Sequence, residues 1–423
     1  MGWMNIILGL AGCSVLIWYI FRVYQQSSSF KLRPFYFPFL ILKFLGGVGL
    51  GVIYFYYYQG GDTVNYHKDA LLISQLAVED INAFFQLLFG MGDGVLIEQL
   101  HYHNDPRALL MSKFLGICYL FAFNNYWIAS IFFSFYSFLG LWFLADVLLK
   151  NFNIHQVAVS IAFFVFPSVV FWSSGVLKES LLVGSMGFLI GIFVRFIYAE
   201  KWKLLDLLFA FLLIWIIWLF KYYYAAILIP IMISLLIIHR LKQVLMKQSR
   251  WFNGVLLLIL VSLIIFGATF LHPNLHINRL LHVLVENYHM VIKISKPGNV
   301  INFDGLQPEV VSVIVHFPKA IFSGLYRPFI WETYSWLGFL TGLENTFLLL
   351  LSVFSISKIK NMMKQPEYLW ILAVLVFILI MAGLLSISSP NFGSLSRYRV
   401  GFMPFFLLLV LNPFIRFLTS NKD

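Results

Sequence analysis

YLWILAVLVFILIMAGLLS, residues 368–386, runs for nineteen positions without a charged side chain. A helix needs about 20 apolar residues to cross a bilayer. Ten further stretches are candidate spans: 3–21, 35–57, 126–148, 156–173, 180–199, 204–220, 223–239, 252–271, 334–356 and 399–418. The expected fold is therefore all-α, a polytopic transmembrane bundle of about eleven spans. Composition agrees. Of 423 residues, 61% are hydrophobic and 11% charged, against roughly 25% charged in soluble domains. A soluble fold would leave much of that apolar surface in water. Aromatic residues make up 19%, with 46 Phe and 21 Tyr, suited to lipid-facing surfaces and interfacial belts.

A second stretch, ALLMSKFLGICYLFAF at 108–123, decides the topology. It is short for a span and is interrupted by Lys113 and Gly116. It reads as an interfacial or re-entrant helix, as does 83–89. Basic clusters then fall on one side: Arg22, Lys31 and Arg33; Lys150; Arg195, Lys201 and Lys203; Arg240, Lys242, Lys247 and Arg250; Lys358, Lys360 and Lys364. The excess of Lys and Arg marks that side as cytoplasmic. The N-terminus is expected outside and the C-terminus inside. Two long loops, 58–125 and 272–333, fall on the extracytoplasmic face with the short ones at 174–179 and 387–398. The first should carry interfacial helices. The whole chain reads as one membrane domain with two outer elaborations, without internal repeats.

The formal charge is +11. Cytoplasmic-loop charge explains it, and a part could bind an anionic lipid or phosphate. Cys13 and Cys118 imply neither a disulfide framework nor a Cys-rich metal site. Leu10-Ala11-Gly12-Cys13 has the form of a lipoprotein cleavage box. No basic residue precedes it and apolar residues 15–21 follow it, so a first span is the better reading. Lys43 lies inside the second expected span. It snorkels, meets a buried partner, or marks function.

Polar residues sort to the outer face: Asp62, Tyr66, His67, Lys68 and Asp69; His101, His103, Asp105 and Arg107; Lys178 and Glu179; His316, Lys319, Arg327 and Glu332; Arg397, Tyr398 and Arg399. Asp62 follows Gly60-Gly61, which let backbone approach a ligand closely. A carboxylate at a membrane boundary can act as a general base, and it can equally cap the helix expected at 65–78. Lys178 opens a helix against its dipole, so a nearby anion would offset the cost. Glu179 is one such anion. Arg397 and Arg399 suit bidentate phosphate recognition or lipid headgroup contact. His101 and His103 are a weak candidate metal pair. No Asp-x-Asp pair occurs in the first outer loop. His-Glu-x-x-His, a phosphate-cradling glycine loop and a Ser/His/Asp arrangement are likewise missing.

The order of these features resembles the GT-C superfamily of polyprenyl-phosphate-sugar-dependent glycosyltransferases. Asp62 follows an early span, and a long outer loop comes next. Phe166-Pro167-Ser168 and Trp172-Ser173-Ser174-Gly175 precede Lys178-Glu179, and Ser396-Arg397-Tyr398-Arg399 precedes a terminal span containing Pro404. The likeness covers about 35–418 and is nearest to bacterial relatives of the protein mannosyltransferases and the lipid A aminoarabinose transferase. It implies inverting transfer at the outer face of a bacterial inner membrane, in cell-envelope polysaccharide or glycoconjugate synthesis. Asp62 would be the catalytic base. Lys178 and Arg397, with Arg399 in reserve, would hold donor phosphate. Tyr66, His67, His103, Asp105, Arg107, Glu179, Lys319, Arg327 and Tyr398 would line the substrate site. The expected partners are a lipid-linked sugar donor, a glycan, lipid or protein acceptor, and membrane lipid; nucleic acid is not expected. No cofactor is implied, and a divalent metal lacks a supporting motif. Gly60-Gly61-Asp62 also resembles O-antigen and exopolysaccharide polymerases, and a lipid-linked saccharide transporter is a third reading, favoured by Lys43.

Overall fold

The computed structural model describes residues 3–26, 32–90, 97–198, 203–244, 249–270, 276–333 and 335–420. The topology signals Lys31, Lys201 and Lys247 lie outside the described residues. The described chain is all-helical, with no strand among those residues. Helices satisfy every backbone polar group within one segment, the condition that a lipid solvent imposes.

Among the described residues, eight helices are long and apolar enough to cross a membrane: Trp3–Gln26, Arg33–Tyr57, Tyr126–Asn151, Lys178–Tyr198, Leu204–Leu241, Arg250–Ala268, Trp336–Ser357 and Tyr368–Ser388. A ninth arises if the pair Phe392–Gly401 and Met403–Thr419, bent by 74°, is one span. Besides that bent pair, which holds the expected 399–418 stretch, two differences separate these helices from the eleven expected stretches. The 156–173 stretch is not one helix. Apolar helix runs over Gln156–Val165, and Pro167 starts a separate short helix, Pro167–Trp172. Proline has no N–H to continue a helix and fits its first turn. The 204–220 and 223–239 stretches form one helical run, Leu204–Val244, broken at Lys221 where φ is −147° and ψ is 64°. Unbroken, it would be about 60 Å long, roughly twice the hydrocarbon thickness.

The chain divides into two compact units. The first comprises Met1–Leu148, Phe164–Ile192 and Lys203–Lys221. In it, Trp3–Gln26 buries only Asn5 and Gly9, and large apolar side chains such as Trp3, Ile7 and Val15 are exposed. An apolar helix left this open suits lipid rather than water as its surroundings. The described part of the first long loop carries the helices Asp62–Glu79, Ile81–Phe89 and Pro106–Leu120. Pro106–Leu120 covers the 108–123 stretch. Its fifteen residues rise about 22 Å, short of a span. It packs on Asp62–Glu79 through Ala70, Ala108, Met111, Leu115 and Tyr119, with Gly116 admitting Ile73.

Two helices of this unit meet at glycines. A Cβ on Gly140 would overlap the Gly184 backbone, and one on Gly187 would overlap the Gly140 carbonyl. Small residues of this kind let membrane helices approach closely. We expect Gly187→Leu to destabilise the protein by about 2 kcal/mol or more, since overpacking here cannot be relieved by a side chain. Unfolding in detergent titration checks it; wild-type stability would refute the contact.

The second unit comprises Leu149–Phe163, Phe193–Trp202 and Tyr222–Asp423. The second long loop contributes helices Ile277–Ile294 and Val310–Tyr326. Val310–Tyr326 packs on Tyr368–Ser388, where Gly324 abuts the Ala382 backbone and Gly383 receives Phe317. Residues 299–301 pair with 390–392: Ile301 N–H donates to Pro390 O at 2.9 Å, and Phe392 N–H donates to Asn299 O at 3.1 Å. Cys13 and Cys118 are free thiols.

Candidate functional site

The first unit gathers charge at the start of Asp62–Glu79. Gly61 is the N-cap residue of that helix, with φ +99°, a conformation that glycine adopts without strain. Asp62 is therefore the first helical residue rather than the cap. Its carboxylate in the first turn is favoured by the helix dipole. The Tyr102 hydroxyl donates to Asp62 Oδ1 at 3.2 Å.

Tyr102 belongs to the turn that leads into Pro106–Leu120. Asp69, buried, holds that turn. It accepts from His101 N–H at 2.7 Å, Tyr102 N–H at 3.4 Å and the Ser112 hydroxyl at 2.9 Å. The His101 ring lies 2.9 Å from the Asn65 amide. His103 is exposed and bonds locally, to Leu100 O and Asn104. Asp105 caps the next helix, accepting from Arg107 N–H at 3.0 Å and Ala108 N–H at 3.1 Å. Arg107 is exposed. Among the described residues no group of three or more His, Cys, Asp or Glu is placed to hold a metal ion.

His67 is half-buried, with Nδ1 2.5 Å from the Tyr119 hydroxyl. Burial, and secondarily the charge of Lys68, pushes its pKa below the ordinary 6.5. The unfolded chain therefore takes up this proton first. The contribution of His67 to stability is complete above about pH 6.5 and is lost as pH falls through that value toward the lower folded one. We expect the thermal midpoint to fall between pH 7 and 5.5, and His67→Gln to flatten that slope. An unchanged slope in the variant would overturn the assignment.

Lys178 and Glu179 begin Lys178–Tyr198. The Lys178 ammonium lies over the Tyr66 ring, 5.7 Å from its centre. The charges acting on it are those of Lys221, Asp105, Glu179 and Asp62. Glu179 is 1% exposed and forms an ion pair with Lys221 at 3.0 Å. Lys221 sits at the break in Leu204–Val244. Sequence reading passed over it, as it did the role of Tyr102. A lysine between two apolar runs was the available signal, since a buried charge needs a partner.

Residues Ser173–Leu177, between two helices, are all buried. Buried irregular backbone must find its hydrogen-bond partners within the protein. Here side chains supply them. Gly175 N–H donates to Ser134 Oγ at 2.9 Å, and Thr63 Oγ donates to Val176 O at 2.9 Å. Ser180 Oγ donates to Gly175 O at 2.9 Å and Leu177 O at 2.6 Å. Lys43, also buried, donates to Ser173 Oγ. Lys43 therefore has a buried partner and does not snorkel.

The remaining expected residues lie in the second unit. Arg397 is half-buried, with Nη2 donating to the Tyr398 hydroxyl at 3.2 Å. Arg399 is 1% exposed. It donates to Asn345 Oδ1 at 2.6 Å and to Arg327 O at 3.4 Å, while Asn345 donates to Pro328 O at 2.8 Å. This guanidinium ties helix Trp336–Ser357 to the turn after Tyr326, a structural placement. Arg327 forks onto Glu332, at 3.0 and 2.5 Å. Lys319 donates to Asn302 O at 2.8 Å. The structure thus joins Asp62, Tyr66, Asp105, Lys178 and Glu179 by contact or charge within one unit. It commits Arg327 and Arg399 to partners in the other.

The sequence matches no family model, and no curated protein or solved structure is significantly similar to the chain.

Proposed function

We propose that this protein is an integral membrane glycosyltransferase. It moves a sugar from a polyprenyl-phosphate-linked donor to a glycan, lipid or protein acceptor at the extracytoplasmic face. One observation supports this reading most: a half-buried carboxylate, Asp62, and a cation, Lys178, interact within one unit beside a helix start. Asp62 takes the proton of the acceptor hydroxyl. The acceptor oxygen bonds to the sugar's anomeric carbon as the bond to the lipid phosphate breaks. The phosphate leaves with the electron pair, and Lys178 stabilises its charge. The Glu179–Lys221 pair leaves Lys178 as the cation directed at that anion. Arg397 is a candidate phosphate contact in the second unit, tested separately by Arg397→Gln.

On this reading the chain crosses a bacterial inner membrane eleven times, N-terminus outside and C-terminus in the cytoplasm. That count takes the arms 204–220 and 222–244, the broken segment near Pro167 and the bent C-terminal pair each as a span. It puts Arg195 and Lys203, Arg240 and Arg250, and Lys358 and Lys364 on the cytoplasmic side.

The assay uses purified protein in lipid nanodiscs with a polyprenyl-phosphate-linked sugar. Release of polyprenyl phosphate and labelling of an acceptor are read together. Lys178→Met is expected to slow transfer about 100-fold or more, as loss of one stabilising group does in other sites. Extension of polyprenyl-pyrophosphate repeat units instead would identify a polymerase. Movement of lipid-linked saccharide across the bilayer without bond cleavage would identify a transporter.

A further inference from the structure

We propose that Asp69 is a positioning residue for Asp62, acting through the turn that carries Tyr102. Only the role of Asp62 as base rests on the glycosyltransferase reading. Asp69 lies seven residues after Asp62 on one helix, two turns along and on the same face. It is 2% exposed. Packing between this helix and Pro106–Leu120 is already supplied by Ala70, Ile73 and Ala77. The Asp69 carboxylate is directed at the turn instead. Oδ1 takes His101 N–H, while Oδ2 takes Tyr102 N–H and the Ser112 hydroxyl.

Three donors offset the cost of burying this charge. Two of them are the consecutive backbone amides on either side of His101, so the carboxylate restrains the backbone that enters Tyr102. That restraint sets the tyrosine ring. Its hydroxyl reaches Asp62 Oδ1 at 3.2 Å, and its ring centre lies 5.0 Å from that of Tyr66. Tyr66 in turn lies under Lys178. Asp69 thus acts on both the proposed base and the proposed phosphate cation without touching either substrate.

A hydrogen bond to an ionised carboxylate favours that form. Weakening the Tyr102 bond therefore raises the pH at which Asp62 ionises. The charged and titratable groups acting there include Tyr102, by direct bond, and Lys178, through its charge. Asp105, Glu179 and Lys221 act on Lys178 in turn.

The test uses full-length protein in nanodiscs. A carbodiimide with glycine ethyl ester labels protonated carboxyls, and peptide mass spectrometry reads labelling of Asp62 against pH. Tyr102→Phe is expected to raise the labelling midpoint by about one pH unit, the scale of one charge-assisted hydrogen bond. Asp69→Asn should raise it comparably, and the double variant no further than either alone. An unmoved midpoint in Asp69→Asn, or shifts that add, overturns the proposal. Ser112→Ala keeps the carboxylate and removes one donor. It should move the midpoint the same way by less, and if Asp69→Asn does not fold, an unmoved midpoint in Ser112→Ala decides against the proposal. Labelling requires no transferase activity. Absence of sugar transfer by the wild type would sink the functional reading and leave the labelling result to judge Asp69.

Discussion

If the proposed function holds, Asp62→Asn is expected to all but stop sugar transfer while the protein still inserts and folds. Removing a general base typically costs 10²- to 10⁴-fold, so kcat is expected to fall by about that factor. Asparagine matches aspartate in shape and can still accept from Tyr102, so the local geometry is retained. What it loses is the ability to take a proton. Helix Asp62–Glu79 keeps its Gly61 N-cap, which is why folding should be little affected. The loss in the first-turn dipole interaction is only about 0.3–1 kcal/mol. Transfer by Asp62→Asn at the wild-type rate would remove Asp62 from the mechanism. Loss of transfer together with loss of the folded protein would point to a structural role instead.

Glu179→Gln carries the largest expected effect on stability. Glu179 and Lys221 are both buried, with side chains 2% and 9% exposed, and their charged atoms are 3.0 Å apart. Removing one partner from a buried ion pair typically costs about 3–5 kcal/mol, because the other charge stays desolvated. Lys221→Met should cost a similar amount. The double variant Glu179→Gln, Lys221→Met should cost much less than the sum, since it leaves no uncompensated charge. Equilibrium unfolding of the four proteins in one detergent system measures this. Additive losses would show that the two groups do not stabilise each other. The pair also has a functional consequence. It fastens the start of Lys178–Tyr198 to the break in Leu204–Val244, so its loss should displace Lys178 and slow transfer even in the fraction that remains folded.

Some of the site was legible along the chain because it depends on local patterns. Gly60-Gly61-Asp62 announced a helix start with a carboxylate beside it, and the structure places Asp62 in the first turn. Lys178 at the head of an apolar run announced a cation that needs a nearby anion. The partner of Glu179 was not legible. Lys221 is forty-two positions further on, the difference between 221 and 179, and no periodicity links two residues across such a separation. The role of Tyr102 was opaque for the same reason, since the packing of Asp62–Glu79 against Pro106–Leu120 brings it to Asp62 and Asp69. Arg399 shows the converse. Its motif, Ser396-Arg397-Tyr398-Arg399, presents two similar arginines. Only packing distinguishes the buried one, bonded to Asn345, from the half-buried one beside Tyr398.

The apolar run at 368–386 needed no tertiary information to be a membrane helix. Length and hydropathy depend on nearest neighbours and on the solvent, so the sequence alone determined the all-helical membrane class. It also gave the expectation that 108–123 is too short and too interrupted to span; in the structure a fifteen-residue helix, Pro106–Leu120, holds most of that stretch and packs on Asp62–Glu79. Tertiary structure decided where helical runs break and which charges meet. The buried turn at 173–177 is held by hydroxyls that include Thr63 and Ser134 from distant segments, and the bend at Lys221 by the buried Glu179 carboxylate. In a low-dielectric interior those few polar contacts carry the largest penalties if left unmade, so they select among the arrangements that hydrophobic patterning leaves open.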